Sequence, residues 1–171
     1  MTVKGRIRYL LYAFECFAAF LLQSLPFPAL ELFGARAALV LSAAFSIAFF
    51  ESQVTSVIFA AMCGVLTDIS YCGSIGFFSV IMPAACYSVS LLFENFFKRN
   101  LFTVTAAAFA GIAAVMFIHF FVFYLMRGYP DGWQFFAKRY IMRILCTLLA
   151  VPVFYGMDLL FFRIRSEYMN G

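Results

Sequence analysis

The sequence predicts an all-α integral membrane protein, a single bundle of about six transmembrane helices that occupies residues 1–171. About 65% of the 171 residues are hydrophobic and only 12% are charged, whereas a soluble domain usually carries about 25% charged residues. The apolar residues also fall into runs close to the length, about 20 residues, that a helix needs to cross the hydrocarbon core. Lipid rather than water is therefore the solvent that suits this composition.

Six apolar runs are the candidate spans. They cover residues 9–25, 35–50, 54–67, 75–97, 101–126 and 141–162. The second and third runs are short, and only Glu51, Ser52 and Gln53 separate them. They form either two short helices packed against longer neighbours or one long tilted helix. We favour two helices, because three consecutive polar residues at mid-bilayer would be costly.

Basic residues near the ends of these runs set the predicted orientation. The inside set is Lys4, Arg6, Arg8, Lys98, Arg99, Arg163 and Arg165, and the outside set is Arg36, Arg127, Lys138, Arg139 and Arg143. Because cytoplasmic loops carry the excess of basic residues, both chain ends are predicted to be cytoplasmic. No dense basic face is visible, so nucleic acid is not expected as a partner.

The connection over residues 127–140 is the longest that the sequence predicts. Its glycines and proline interrupt helices, and its aromatic and basic side chains together suit a membrane–water interface. A short interfacial helix leading into the sixth span is expected here. A partner-binding surface is the alternative.

Three ionisable residues lie inside apolar runs: Glu15 in the first, His119 in the fifth and Asp158 in the sixth. Such groups are costly in lipid and often mark functional sites, including proton relays. No two of them form an adjacent pair on one helix, so we expect them to be scattered. Polar packing or snorkelling is the favoured interpretation, a proton relay is the alternative, and Glu15 is the first to mutate.

Residues that support catalysis or metal binding are sparse. A Ser-His or Cys-His pair would have to use His119, the single histidine. No metal-ligand spacing and no glycine-rich phosphate loop accompany it. The cysteines contain no Cys-x-x-Cys pair, and four of the five lie inside apolar runs as expected for buried side chains, Cys72 being next to a loop. The sequence therefore predicts a non-enzymatic protein with no cofactor.

The end of the third run carries the clearest pattern. Ala60 and Gly64 are four residues apart, with Asp68 next on the same face, and this spacing allows close helix packing or docking to another membrane protein. The pairs Ala107/Gly111 and Ala110/Ala114 show the same spacing in the fifth run.

Asp68 is expected to accept backbone hydrogen bonds from the start of the fourth helix, whose positive end favours an anion. Gly73 and Gly76 would permit a tight turn there. A structural staple is the favoured interpretation of this turn, and a partner contact is the alternative.

Residues 60–90 resemble the bacterial rod shape-determining MreD family. In that family an apolar helix ends in Gly-x-x-x-Asp, a short aromatic loop follows, and Gly-x-x-Gly opens the next helix. Here these positions are Gly64, Asp68, Gly73 and Gly76. The length, the basic start, the polar break near Glu51 and the final aromatic helix also agree, so the resemblance in layout covers nearly the whole chain.

The resemblance implies a non-enzymatic component of the machinery that elongates the lateral cell wall, located in the bacterial plasma membrane among its lipids. The implied direct partner is an MreC-like membrane protein. Through it the protein would reach an MreB-like filament and peptidoglycan synthases such as RodA and a penicillin-binding transpeptidase. The implied fold is similar to that of the substrate-binding subunits of energy-coupling-factor vitamin transporters.

That similarity of fold supplies an alternative function, the substrate-binding subunit of a small-solute transporter. Such a subunit needs an outward-facing pocket with several convergent polar groups. The predicted outer halves offer Asp68, Asp131 and few others among phenylalanines. The sequence therefore favours the scaffold.

Overall fold

The computed structural model describes residues 3–25, 31–32, 35–70, 76–95, 101–126 and 136–169. Within these ranges the chain forms six α-helices: α1 (Val3–Ser24), α2 (Leu39–Phe50), α3 (Gln53–Ser70), α4 (Phe77–Asn95), α5 (Leu101–Phe120) and α6 (Ile141–Met169). A π-helical segment, Phe121–Leu125, extends α5, and another, Phe136–Tyr140, leads into α6. The rest of the predicted 127–140 interfacial segment lies outside the described residues.

Two very short strands lie between α1 and α2. Strand β1 (Glu31–Leu32) pairs antiparallel with β2 (Ala35–Arg36), and Glu31 lies opposite Arg36 in the register. β2 contacts α6. The all-α prediction does not include this strand pair, which lies just before α2 in the chain.

Helix α2 is the centre of the bundle. Every residue from Leu39 to Phe49 is buried, and α2 packs against all five other helices. A helix that is apolar all round is expected in such a buried position. Its 12 residues span only about 18 Å at 1.5 Å per residue, less than a bilayer core of about 30 Å. The other helices cover α2 along nearly its whole length.

The start of α2 is capped by side chains that are distant in the sequence. Thr147 Oγ1 of α6 accepts a hydrogen bond from the Ala38 backbone N–H at 2.9 Å, and Gln23 Oε1 of α1 accepts one from Val40 at 3.1 Å. These contacts satisfy donors that a helix start leaves without intrahelical partners.

At the other end of α2, Glu51 has an extended backbone with φ −103° and ψ 161°. This conformation ends α2 before α3 begins. The structure thus confirms that the polar break at Glu51 divides this stretch into two helices. Glu51 Oε1 also accepts a hydrogen bond from Tyr12 of α1 at 3.1 Å, which holds the break inside the bundle.

Among the described residues, three helical segments are long and apolar enough to cross a membrane: Gln53–Ser70, Phe102–Tyr124 and Ile141–Leu160. Three apolar helices are shorter: Tyr9–Ser24, Leu39–Phe50 and Phe77–Phe93. Large apolar side chains also point outward along α3, at Val54, Ile58, Met62, Val65 and Ile69. A continuous outward apolar face of this kind is typical of a surface that contacts lipid or another protein. The helices support a membrane protein, and the count of six spans stays a prediction.

Candidate functional site

Asp68, near the C-terminal end of α3, binds the start of α4. Its buried carboxylate accepts backbone N–H hydrogen bonds from Gly76 at 3.1 Å, Phe78 at 3.0 Å and Ser79 at 2.9 Å. It also accepts the Ser79 hydroxyl at 2.5 Å. Free N–H groups and a partial positive charge at a helix start both favour an anion at this position. The hydrogen bonds that the sequence predicted for Asp68 are therefore present.

Glycines allow α3 and α4 to approach each other at this turn. A Cβ added to Gly64 would lie 2.6 Å from the Phe78 carbonyl oxygen and 2.7 Å from the Ser79 Cα, so no larger residue fits without separating the two helices. Gly76 has φ +92°, a backbone conformation that other residues rarely adopt. Gly73 lies outside the described residues. Gly64 thus serves packing within the chain.

The small residues of α5 divide between two environments. A Cβ on Gly111 would lie 2.6 Å from the Phe45 ring of α2, so Gly111 also packs internally. Ala110 and Ala114 lie on the exposed face of α5. Of the two interpretations of the four-residue spacing, internal packing is confirmed for Gly64 and Gly111.

His119 lies in an aromatic cluster beside the Asp68 turn. Its ring stacks on Phe78 with centroids 5.3 Å apart and an interplanar angle of 19°, and rings of Phe77 and Phe123 contact its other sides. His119 Nδ1 and the Tyr140 hydroxyl form a hydrogen bond of 2.8 Å. Phe78 therefore joins two groups, since its backbone binds Asp68 and its ring packs on His119.

Tyr140 stays protonated in this cluster. Burial, with the nearby Tyr124 hydroxyl, raises the pKa of Tyr140 to about 12. The phenol is therefore neutral at physiological pH. It holds the start of α6 against the end of α5 through His119. We call the end of the bundle that contains Asp68, Gly76, His119 and Tyr140 the turn end.

A cavity of about 10 Å³ lies at the turn end. Gln23, Thr67 and Arg143 provide its polar lining, and Met82 and Met116 are among its apolar lining residues. This volume holds about one water molecule. Ligand pockets usually measure about 300 Å³ or more, so a vitamin-sized solute does not fit in this cavity.

Glu15 and Asp158 meet inside the bundle, which corrects the prediction that the intramembrane ionisable residues are scattered. Both side chains are buried, and the two carboxyl groups act on each other electrostatically. Ser46 of α2 donates a hydrogen bond to Asp158 Oδ2. The two acids meet because α1 and α6 both pack on α2. His119 lies apart from them, at the turn end.

The contributions of Gln23, Ser46, Arg143 and Thr147 are not predicted from the sequence. Arg143 is placed among the loop charges in the predicted orientation. Its position as the third residue of the last span is nevertheless a signal of an inward-facing role. Polar uncharged residues such as Ser46 carry no comparable signal, since serine is common in membrane helices. Their contacts depend on which helices become neighbours.

The cysteines contribute buried side chains. Cys16, Cys63, Cys86 and Cys146 are free and buried, as the sequence predicted for these four, and the Sγ atoms of Cys16 and Cys63 are 3.2 Å apart. Cys72 lies outside the described residues. Across the residues that the structure describes, no group of three or more His, Cys, Asp or Glu side chains is arranged to hold a metal ion.

Comparison with known proteins gives one match. The family model described as rod shape-determining protein MreD matches residues 4–163, nearly the whole chain. The curated proteins and the solved structures that were compared give no match. The similarity of fold to energy-coupling-factor transporter subunits stays a prediction.

Proposed function

The chain belongs to the family of the rod shape-determining protein MreD, and on this premise we propose that it is a non-enzymatic membrane component of the cell-wall elongation machinery. The observation that carries the proposal is the extent of the family match, residues 4–163. The match includes the helices of the bundle and the Asp68 turn. We therefore ascribe the family's function, which is the determination of cell shape, to the bundle as a whole.

Within the residues that the structure describes, the packing of the bundle supports a scaffold over the transport alternative. The central positions are filled by α2, whose residues from Leu39 to Phe49 are all buried. The cavity at the turn end holds about one water molecule. A solute-binding subunit needs a much larger pocket lined by convergent polar groups. A packed centre suits a protein that presents its outer surface to partners.

The proposed direct partner is an MreC-like membrane protein, which would connect the chain to an MreB-like filament and to the peptidoglycan synthases. The described part of the chain consists mainly of helices, so a partner contact would use helix faces and the short connections between them. A partner contact at the Asp68 turn, at one end of the bundle, is the alternative to a structural staple there. Both chain ends are proposed to be cytoplasmic, in a multi-pass protein of the bacterial plasma membrane.

Depletion of the protein in its rod-shaped host tests this function. We expect cells to become round as the protein is lost, and we expect a plasmid copy of the full chain to restore rods. Uptake of vitamins should be unaffected in the same cells. Rods that keep their shape while uptake of one vitamin is lost would replace the scaffold with the transport function.

Co-purification tests the proposed partner. The tagged full chain, extracted in a mild detergent, is expected to retain the MreC-like protein of the same host. An unrelated multi-pass protein with the same tag and expression level is the control. Equal recovery of the MreC-like protein with both baits would contradict direct binding.

A further inference from the structure

The carboxyl pair of Glu15 and Asp158 lies in the interior of the bundle, away from the turn end. Glu15 is on α1 and Asp158 is on α6, and their relative exposures are 1% and 0%. Ser46, on the central helix α2, binds Asp158 Oδ2. The pair therefore connects three helices at a point that water does not reach.

The hydrogen bonding of the pair is incomplete when both groups are carboxylates. Glu15 Oε1, Glu15 Oε2 and Asp158 Oδ1 are buried and have no donor. An ionised carboxyl group can only accept hydrogen bonds, whereas a protonated one also donates. The two carboxyl groups lie close enough to act on each other electrostatically. A proton on one of them would therefore supply the donor that the other lacks.

Among the side chains that the structure describes, no positive charge acts on the two carboxyl groups. The ionisable groups that act on the pair are Cys16 of α1, Cys63 of α3 and Glu51 at the end of α2, none of which is a cation. Cys86 of α4 acts on the thiols.

The one ionisable side chain of α5, His119, lies in the aromatic cluster at the turn end.

Two adjacent like charges in a buried site strongly disfavour double ionisation. The neighbourhood of the pair therefore favours a bound proton over two free charges.

We propose that Glu15 and Asp158 form a proton-binding site inside the bundle, in which one proton is shared between the two carboxyl groups and links α1 to α6. The proton forms an O–H bond to one carboxyl and a hydrogen bond to the other. Ser46 keeps Asp158 oriented toward Glu15. Loss of the proton leaves two facing negative charges, which push α1 and α6 apart.

Infrared spectroscopy of the purified full chain in lipid nanodiscs tests the site. We expect a carbonyl stretching band of a protonated carboxylic acid at neutral pH, equivalent to about one carboxyl per chain, that shifts in heavy water and disappears at alkaline pH. Selective ¹³C labelling of glutamate or aspartate side chains assigns the band. This measurement needs no variant and is independent of whether a substitution folds.

Two substitutions and one matched control complete the test. Glu15→Gln and Asp158→Asn replace a carboxyl by a neutral amide of similar shape, and each is expected to remove the band. Glu51→Gln is the control, because Glu51 is also a buried acid but already accepts a hydrogen bond from Tyr12. The band is expected to persist in that variant.

Three outcomes would overturn the proposal. The wild-type chain has no protonated-acid band at neutral pH, or the band survives in both Glu15→Gln and Asp158→Asn. In the third outcome, sodium or calcium ions abolish the band at constant pH, which would show that the site binds a metal cation instead.

Discussion

Acidic side chains illustrate how the surroundings of a single residue determine its chemistry in this bundle. Asp68 accepts four hydrogen bonds from donors at the start of α4. Glu51 faces the hydroxyl of Tyr12. Glu15 faces another carboxyl group. The first two carboxyl groups hold helices together by accepting hydrogen bonds, whereas the third is proposed to do so by sharing a proton.

Replacement of Asp68 by alanine should destabilise the α3–α4 pair. It leaves three backbone N–H groups and a hydroxyl without their acceptor, and losing a helix cap costs about 0.5–2 kcal/mol. We expect a lower thermal midpoint in detergent and weaker co-purification of the MreC-like protein. Asp68→Asn, which keeps one acceptor oxygen, should lie between the wild type and Asp68→Ala.

Ser70→Ala is the matched control for Asp68. Ser70 lies two residues after Asp68, at the end of α3, and is exposed. Its hydroxyl makes a long contact of 3.4 Å to the Leu66 carbonyl oxygen. Its thermal midpoint and partner recovery should equal those of the wild type. Wild-type stability and partner recovery for Asp68→Ala would argue against any role for the turn.

Tyr140→Phe should loosen the contact between α5 and α6. The substitution keeps the ring that packs near His119 but removes the hydroxyl of the 2.8 Å hydrogen bond. A typical buried hydrogen bond contributes about 1 kcal/mol, so a small decrease in the thermal midpoint is expected. Tyr87→Phe, at an exposed tyrosine of α4, should cause no decrease. Equal midpoints for the two variants would contradict the proposed contribution of this bond.

At the scale of elements, close contact between helix backbones distinguishes α3 and α4 from the other pairs. Their approach depends on the absence of a side chain at Gly64, whose nearest neighbours are backbone atoms of Phe78 and Ser79. In lipid, such close approach lets van der Waals contacts replace the hydrophobic force that drives association in water. The Asp68 hydrogen bonds then fix the same two helices at the turn.

Gly64→Ala should separate α3 from α4 and lower stability. The new Cβ would lie 2.6 Å from a backbone oxygen that cannot move without its helix, and overpacking of this kind costs about 1–3 kcal/mol. Gly156→Ala in α6 is the matched control, because its new Cβ meets nothing within 4 Å. Alanine also favours helix over glycine by about 1 kcal/mol, so the control should be neutral or stabilising. Equal destabilisation by both variants would contradict the close α3–α4 contact.

At the scale of the whole molecule, five helices surround a sixth. α2 is too short to cross a bilayer of ordinary thickness alone, and its neighbours shield it from lipid on all sides. The exposed apolar residues lie on the surrounding helices. This arrangement leaves the outer helix faces and the connections for binding partners, which agrees with the proposed scaffold function.

The predicted orientation can be tested with reporter fusions. An even number of spans and cytoplasmic ends predict that green fluorescent protein is fluorescent at either terminus. Alkaline phosphatase inserted into the connection between α3 and α4 should be active, since this connection is predicted to face outward. An active phosphatase at the C-terminus, with a fluorescent protein still folding at the N-terminus, would show an odd number of spans.

Local chemistry in the sequence was sufficient to predict the membrane class, the break at Glu51 and the hydrogen bonds of Asp68. Each depends on residues that are close along the chain, because a polar break ends a helix and an acid near one helix end caps the next. The glycine at position 64 likewise predicted close packing. These features therefore follow from the sequence by itself.

Only the tertiary structure decided that α2 is central, that Glu15 meets Asp158, and that Arg143 faces a small cavity. Lipid chains are as apolar as a protein core, so hydrophobicity cannot tell a lipid-facing side of a helix from a buried one. Which helices become neighbours is then decided by side-chain packing between segments that are distant in the sequence. The facing carboxyl groups of α1 and α6 arise from that packing.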